Sequence, residues 1–151
     1  MKIINAKVYT EEGTFTEKEI WIENNRFADS DCSAETVIDA KGCYAIPGLV
    51  DIHFHGCMNH DFCDGTTEAI KAMAMYEASV GVTAIAPATM TLPEEQLLTI
   101  CRAAKEYREH PDTKGADLCG INMEGPFIVA GKKGAQNGAY IRKADAGMFD
   151  R

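Results

Sequence analysis

Apolar and polar residues alternate along the first 45 residues, and this alternation predicts short β-strands. Residues 2–10, 14–23 and 36–40 are rich in β-branched and aromatic side chains. Turn sequences such as Glu11-Glu12-Gly13 separate these segments. Short strands joined by tight turns are typical of antiparallel pairing, so we expect a small antiparallel β-domain over residues 1–46.

The pattern changes after Pro47-Gly48, where apolar runs alternate with segments of helical periodicity. Polar side chains recur at every second residue in the first apolar run, and the helical segments carry apolar stripes. Thr91 and Glu94 have the spacing of a capping box, so the second helix is expected to begin there. The predicted elements are strands over 49–55, 82–90 and 118–123, a helix over 66–79, and a second helix that ends before Pro111.

The order strand, helix, strand, helix, strand is typical of a parallel α/β arrangement. A complete (β/α)8 barrel has eight strands and needs roughly 250 residues, whereas residues 47–151 supply only about three βα units. We therefore expect an α/β fold in which residues 47–151 form the first part of a TIM-type barrel that is incomplete in this chain.

Composition excludes two classes of partner. The 151 residues are 46% hydrophobic and 25% charged, as in a globular protein, and the net charge is −8. An acidic chain is unsuited to nucleic acid, and no apolar run approaches the roughly 20 residues that cross a bilayer. The N-terminal segment has no long apolar run, so we expect no signal peptide and a cytoplasmic location.

The cysteines are expected to be free thiols in a reducing compartment. Their spacings are irregular, and no secretory signal accompanies them, so a disulfide framework is not indicated. The six cysteines are Cys32, Cys43, Cys57, Cys63, Cys101 and Cys119.

His53 and His55 are the strongest candidates for chemistry. Side chains two residues apart on a strand point to the same face, so both imidazoles project together at the end of the first parallel strand. Active sites of α/β barrels lie at that end, and Glu124 closes the third predicted strand there. Imidazole nitrogens and a carboxylate suit a divalent metal, and one carboxylate can bridge two ions. We therefore predict a metal site at His53, His55 and Glu124.

Other polar residues near this end are weaker candidates. Asp51 lies on the same face and is equally suited to binding metal and to supporting the ligands from behind. His60 lies in the next loop, where it either reaches the mouth of the site or is solvated. With Cys57 and Cys63 it could form a separate zinc site, although a tight Cys-x-x-Cys pair is missing. The basic residues of 132–142 either attract an anion such as phosphate or form a solvated loop.

Several segments resemble a known family. Residues 47–56, Pro-Gly-Leu-Val-Asp-Ile-His-Phe-His-Gly, are similar to the first barrel strand of the amidohydrolase superfamily, in which a small β-domain also precedes the barrel. Three further segments resemble the N-acetylglucosamine-6-phosphate deacetylase family within it. These are residues 59–66, residues 81–91, and Glu-Gly-Pro-Phe at 124–127 followed by Lys-Lys-Gly-Ala-Gln-Asn at 132–137. The resemblance covers essentially the whole chain.

The resemblance implies a fold, an activity and a cofactor. The fold is a small β-sandwich ahead of the barrel, and the activity is removal of the acetyl group from N-acetylglucosamine 6-phosphate, giving glucosamine 6-phosphate and acetate. The family is cytoplasmic and usually homodimeric, and its partner is a small phosphorylated amino sugar. It uses one or two divalent ions, zinc or iron, between which the ligand set does not decide.

The resemblance also assigns roles to individual residues. Glu124 matches the carboxylate metal ligand on the third strand, and His53 and His55 match a pair that binds a second ion in some members. The presence of both histidines therefore favours a two-metal site here. Ala135, through its backbone, and Gln136 match positions beside the bound sugar.

The family completes its site with residues on later strands. An aspartate there acts as base toward water and as acid toward the leaving amine, and two further histidines bind metal. All three would lie beyond Arg151, so no catalytic residue is expected within this chain, and the chain alone is expected to be inactive. Asn122 stands at a position where relatives commonly have histidine. This difference affects the residues that support the metal ligands rather than the ligands themselves.

Two alternatives stay open. One is another amidohydrolase, similar to dihydroorotases or hydantoinases, although those enzymes usually place a lysine among their metal ligands. The other is a non-catalytic, truncated half-barrel with a vestigial metal site. Three strands would leave two open sheet edges and an uncovered core, so such a chain should aggregate, oligomerise or need a complementary chain.

Overall fold

The computed structural model describes residues 1–29 and 34–151. The chain divides into two compact units, Met1–Pro47 and Gly48–Arg151. Cys32, predicted to be a free thiol, lies outside the described residues. No helix in the described part of the chain is both long and apolar enough to span a membrane.

In the described part of the first unit, five strands form one sheet. Strand order is β3-β2-β1-β4, and β5 also pairs with β1. Strands β1 and β2 are antiparallel, as are β2 and β3. The strands are β1 (Lys2–Tyr9), β2 (Phe15–Glu23), β3 (Arg26–Phe27), β4 (Val37–Asp39) and β5 (Tyr44–Ala45).

The predicted antiparallel pairing is found for β1–β2 and β2–β3, whereas β1 pairs in parallel with both β4 and β5. Residues Lys2 to Ile4 of β1 lie beside β4, and Lys7 and Val8 lie beside β5. Alternation of apolar and polar residues indicates which face of a strand is covered, but not the direction of its neighbour. The second sheet of the expected sandwich stays a prediction.

The second unit contains a three-stranded parallel sheet with the order β10-β9-β6. A short antiparallel hairpin, β7–β8, follows β6. The elements of this unit are β6 (Leu49–Asp51), β7 (Gly56–Cys57), β8 (His60–Asp61), α1 (Thr67–Ser79), β9 (Val82–Ile85), α2 (Glu94–Glu109), β10 (Asp117–Leu118) and α3 (Ala146–Phe149). Three 3₁₀ turns accompany them, at Phe62–Asp64, Ala130–Lys132 and Gly138–Tyr140.

The two long helices bury their apolar stripes against this sheet, as their periodicity predicted. The buried residues of α1 include Ile70 and Met73, and those of α2 include Leu97 and Ile100. Phe62, from the turn after the hairpin, is fully buried in the same core. The central sheet is thereby fixed from one side, and the residues that follow each strand are held in defined positions.

The three parallel strands are shorter than predicted, and the chain beyond them follows an irregular path. Asp51 Oδ1 accepts a hydrogen bond from the His53 backbone N–H at 2.9 Å, which bends the chain after β6. Pro87 has no N–H to donate, so the ladder beyond β9 is interrupted there. An isolated parallel bridge between Ala88 and Asn122 continues the pairing past that point.

The predicted capping box at Thr91 and Glu94 was wrong. Helix α2 has Pro93 at its N-cap and no side-chain cap. The Thr91 N–H donates instead to Gln136 Oε1 at 2.6 Å, and its hydroxyl donates to the Glu124 backbone oxygen at 3.3 Å. Thr91 is therefore used for tertiary contacts, which sequence spacing alone does not reveal.

Candidate metal centre

The end of β6 positions two imidazoles. The Asp51 carboxylate accepts a hydrogen bond from the His53 backbone N–H, and the chain turns there toward His53 and His55. The two rings lie 5.3 Å apart between centroids and are nearly perpendicular, at 85°. Although both histidines lie beyond the end of β6, their rings lie side by side, as expected for residues two apart at a strand end.

The segment after β10 positions the carboxylate. Asn122 donates its N–H to the Pro87 oxygen at 3.0 Å and accepts from the Thr89 N–H at 3.0 Å. Two residues later, the backbone oxygen of Glu124 accepts from the Thr91 hydroxyl. The backbone around Glu124 is thus tied to the segment that follows the neighbouring strand β9.

Three potential ligand atoms converge at this point. Glu124 Oε2 lies 3.2 Å from His55 Nε2 and 3.4 Å from His53 Nε2. One ligand atom from each of the three residues lies within 4.8 Å of the others. Among the described residues, this is the only group of three or more metal-ligating side chains with such spacing.

The carboxylate oxygen at the centre of this group fits a metal ion. Glu124 Oε2 is buried, and it has no hydrogen-bond partner in the described part of the chain, although both Nε2 atoms lie at ion-pair distance. A buried carboxylate oxygen without a hydrogen bond is costly unless a cation compensates it. Two imidazole nitrogens and one carboxylate oxygen form a donor set that zinc and iron accept.

The Nδ1 atoms of His53 and His55 have different surroundings. Asn122 Nδ2 donates to the Ile52 backbone oxygen at 2.9 Å and lies 3.1 Å from His53 Nδ1. His55 Nδ1, in contrast, is buried and has no hydrogen-bond partner among the described residues. Sequence reasoning noted Asn122 only as a departure from relatives, because nothing in the spacing shows its contact with His53.

The two residues expected beside a sugar differ in exposure. Ala135 is exposed, whereas Gln136 is buried, with 4% of its surface accessible. The Gln136 side chain accepts from Thr91 N–H, and Lys133 Nζ donates to the Gln136 backbone oxygen at 2.9 Å. Thr91 therefore links Gln136 to Glu124. The loop that carries Ala135 is connected in this way to the proposed metal ligand.

The separate zinc site at His60, Cys57 and Cys63 does not form within the described residues. Cys63 Sγ accepts a hydrogen bond from the Met90 N–H at 3.2 Å, and burial raises the pKa of its thiol to about 11. Burial also raises the pKa of Cys57, with a smaller contribution from the nearby carboxylate of Glu77. Burial therefore disfavours the thiolate form that a metal ligand needs at both residues.

The basic loop is largely occupied by internal contacts. Arg142 pairs with Glu94 at 3.7 Å, and Arg151 pairs with the same carboxylate at 2.8 Å. Lys133 donates to backbone oxygens of its own loop. These contacts favour a structural role for the loop cations over the capture of an anion.

Comparison with known proteins identifies amino-sugar-phosphate deacetylases as relatives. No family model matches the chain. The N-acetylglucosamine-6-phosphate deacetylase of Vibrio furnissii is 33% identical over 99 residues, which are 65% of this chain and 24% of that protein. The protein of the same name from Bacillus subtilis (strain 168) is 31% identical over 108 residues, which are 70% of this chain and 27% of the relative. The chain therefore spans well under half the length of these relatives.

Solved structures of proteins with that name have the same fold. The deacetylase of Pasteurella multocida matches with a TM-score of 0.86 at 22% identity, over 99% of this chain and 40% of that one. A mutant of the Mycobacterium smegmatis enzyme, in complex with N-acetyl-D-glucosamine-6-phosphate, matches with a TM-score of 0.77 at 23% identity. That match covers all of this chain and 39% of the other.

Proposed function

We propose that this chain, whose sequence and fold are similar to parts of N-acetylglucosamine-6-phosphate deacetylases, is part of a hydrolase of that kind. The reaction removes the acetyl group from N-acetylglucosamine 6-phosphate and gives glucosamine 6-phosphate and acetate. The observation that carries the proposal is the convergence of His53, His55 and Glu124, with a buried Glu124 oxygen that lacks a hydrogen bond. A donor set of this kind suits hydrolysis assisted by a metal.

In this proposal, His53, His55 and Glu124 hold zinc or iron, as one or two ions. When bound, a divalent metal supplies a water of lowered pKa and polarises the amide carbonyl. The chain's own residues position the ligands: Asp51 holds the backbone of His53, and Thr91 holds the backbone of Glu124. Their fixed positions keep the ligand atoms together before an ion arrives.

The substrate contact proposed for this chain is the loop at Ala135 and Gln136. Ala135 is exposed, so its backbone is available to a sugar, while Gln136 anchors the loop through its hydrogen bond to Thr91. The Mycobacterium smegmatis enzyme, a structural neighbour, holds N-acetyl-D-glucosamine-6-phosphate, which supports a phosphorylated amino sugar as the substrate. We further propose, on resemblance alone, that the complete enzyme is a cytoplasmic homodimer.

Metal binding tests the proposed site directly. Purified chain is titrated with Zn²⁺ and Fe²⁺ alone, and bound metal is counted by mass spectrometry after equilibrium dialysis. Glu124→Gln removes the charge but keeps the shape, and we expect it to weaken binding by about tenfold or more. The control is Glu109→Gln, which changes an exposed glutamate at the end of α2. This variant should bind metal as tightly as the unchanged chain does. Equal binding by the Glu124 variant would exclude this residue as a ligand.

Activity tests the proposed reaction separately. The polypeptide encoded by the whole reading frame is loaded with zinc or iron and supplied with N-acetylglucosamine 6-phosphate, and acetate release is followed. We expect release that disappears in the Glu124→Gln variant. A metal-loaded polypeptide that binds the sugar phosphate but releases no acetate would contradict the proposed reaction while leaving the metal site in place.

A further inference from the structure

The orientation of the Asn122 amide is fixed by the Ile52 carbonyl. A backbone carbonyl only accepts hydrogen bonds, so the amide atom 2.9 Å from the Ile52 oxygen has to be the nitrogen. The backbone N–H and carbonyl of Asn122 are both hydrogen-bonded to the segment after β9, at Pro87 and Thr89, which fixes the position of the residue beside that segment. Asn122 therefore presents an NH₂ group, and not its oxygen, toward its other neighbour.

That neighbour is Nδ1 of His53, which lies 3.1 Å from the same nitrogen. The Asn122 nitrogen has two hydrogens, one for the Ile52 oxygen and one for His53. A donor at this distance requires Nδ1 to be an acceptor. A neutral imidazole carries one proton, so the proton of His53 is then on Nε2, the atom that faces Glu124.

This arrangement is the reverse of the usual support for a metal-binding histidine. A ligating imidazole normally donates its other N–H to a carboxylate, a carbonyl or water, which leaves the ligand nitrogen free. His53 meets a donor instead, so its Nε2 keeps a proton that a metal would have to displace. His55 has no such donor within the described residues, because its buried Nδ1 has no hydrogen-bond partner there.

We propose that Asn122 is a positioning residue that holds the proton of His53 on Nε2, so that the first divalent ion binds through His55 and Glu124 and only weakly through His53. The proposal rests on the metal site proposed above and adds an order among its ligands.

The first test is made without metal. Nitrogen chemical shifts of the histidines, measured by NMR on the metal-free chain at about pH 8, report which ring nitrogen carries the proton. We expect His53 to carry it on Nε2 in the unchanged chain and on Nδ1 in Asn122→Asp, where a carboxylate replaces the donor. A proton on Nδ1 of His53 in the unchanged chain would overturn the proposal.

The second test compares the two histidines as zinc ligands. In the unchanged chain, His53→Ala should weaken Zn²⁺ binding less than about threefold, and His55→Ala about tenfold or more. In an Asn122→Leu background, which removes the donor without adding charge, His53→Ala should cost about tenfold. Equal costs of the two histidine variants in the unchanged chain, or an unaltered cost of His53→Ala in that background, would contradict the role of Asn122.

Two controls distinguish the proposed role of Asn122 from loss of folding and from a simple effect of charge. Circular dichroism of each variant confirms folding, and if Asn122→Leu fails to fold, the Asn122→Asp result decides. Asn122→Asp also adds a negative charge that attracts zinc. If this variant alone binds zinc more tightly while His53 keeps the tautomer of the unchanged chain, the proposal is overturned. If no form of the chain binds zinc, the proposed metal site fails, while the metal-free NMR measurement still decides the role of Asn122.

Discussion

At the scale of single residues, Thr91 connects the loop that carries Ala135 and Gln136 to the proposed metal ligand Glu124. Its N–H donates to Gln136 Oε1 at 2.6 Å, and its hydroxyl donates to the backbone oxygen of Glu124. Thr91 and Gln136 are both buried, so these hydrogen bonds are shielded from water. Loss of either partner would leave a buried polar group unpaired, which costs more than the bond itself is worth.

Gln136→Leu should therefore destabilise the chain. The substitution keeps the approximate volume and leaves the Thr91 N–H without an acceptor, and we expect the free energy of unfolding to fall by about 2 kcal/mol. The matched control is Gln96→Leu on the exposed side of α2, where the change should stay within about 0.5 kcal/mol. Urea denaturation followed by circular dichroism gives both values. Equal stability of the two variants would mean that Gln136 does not hold Thr91.

Cys63 should be chemically inert near neutral pH. Its pKa of about 11 lies well above the ordinary value because the thiol is buried, so only about one molecule in a thousand carries the thiolate at about pH 8. Since the thiolate is the nucleophile, alkylation of Cys63 should be at least about tenfold slower than alkylation of the exposed Cys43. Its rate should rise with pH up to about 11. Peptide mapping after timed alkylation measures both rates, and comparable rates would contradict the burial of Cys63.

At the scale of elements, the helices were predicted from the sequence more completely than the strands. The stripe at Ile70 and Met73 depends on neighbours within about one turn, so local spacing is sufficient to identify it. The ends of β6 and β9 depend on a carboxylate that bends the chain and on Pro87, which interrupts a ladder. The apolar pattern continues through both points, so it does not mark where the strands end.

The residues of the candidate site also divide into those that sequence spacing identifies and those that it does not. His53, His55 and Glu124 were predictable because strand periodicity and the common end of parallel strands bring such residues together. Thr91 and Asn122 were not recognised as supporting residues because their partners lie more than 30 positions away in sequence. Contacts of this kind become visible only when the strands are placed side by side.

The cap of α1 gives a prediction at this scale. Thr66 Oγ1 accepts a hydrogen bond from the Ala69 N–H at 3.2 Å, satisfying one of the free donors at the start of the helix. Thr66→Ala should lower the free energy of unfolding by about 1 kcal/mol, whereas Thr66→Ser, which keeps the acceptor, should lower it by less than half as much. Thermal and urea denaturation of the pair measures the difference. A serine variant as unstable as the alanine variant would exclude the cap as the cause.

At the scale of the whole molecule, the chain presents an open apolar strand. Within the described residues, β6 lies at one edge of the parallel sheet. Leu49, Val50 and Ile52 are 52%, 59% and 65% exposed, which is high for apolar residues of a sheet. An exposed apolar edge strand offers unpaired backbone groups to other chains. The relatives are much longer than the matched region, and their additional residues supply chain that could cover such an edge.

The isolated chain is accordingly expected to associate through β6 as its concentration rises. A lysine at the edge introduces a charge that a neighbouring strand would have to bury, so Val50→Lys should raise the dissociation constant of the associated form by about tenfold or more. Val129→Lys is the matched control, because Val129 is 73% exposed and lies just before the 3₁₀ turn at Ala130–Lys132, outside the sheet. Sedimentation velocity over a range of concentrations distinguishes the two variants. Equal weakening by both lysines would assign the effect to net charge, and association unaffected by Val50→Lys would place the contact on a surface other than β6.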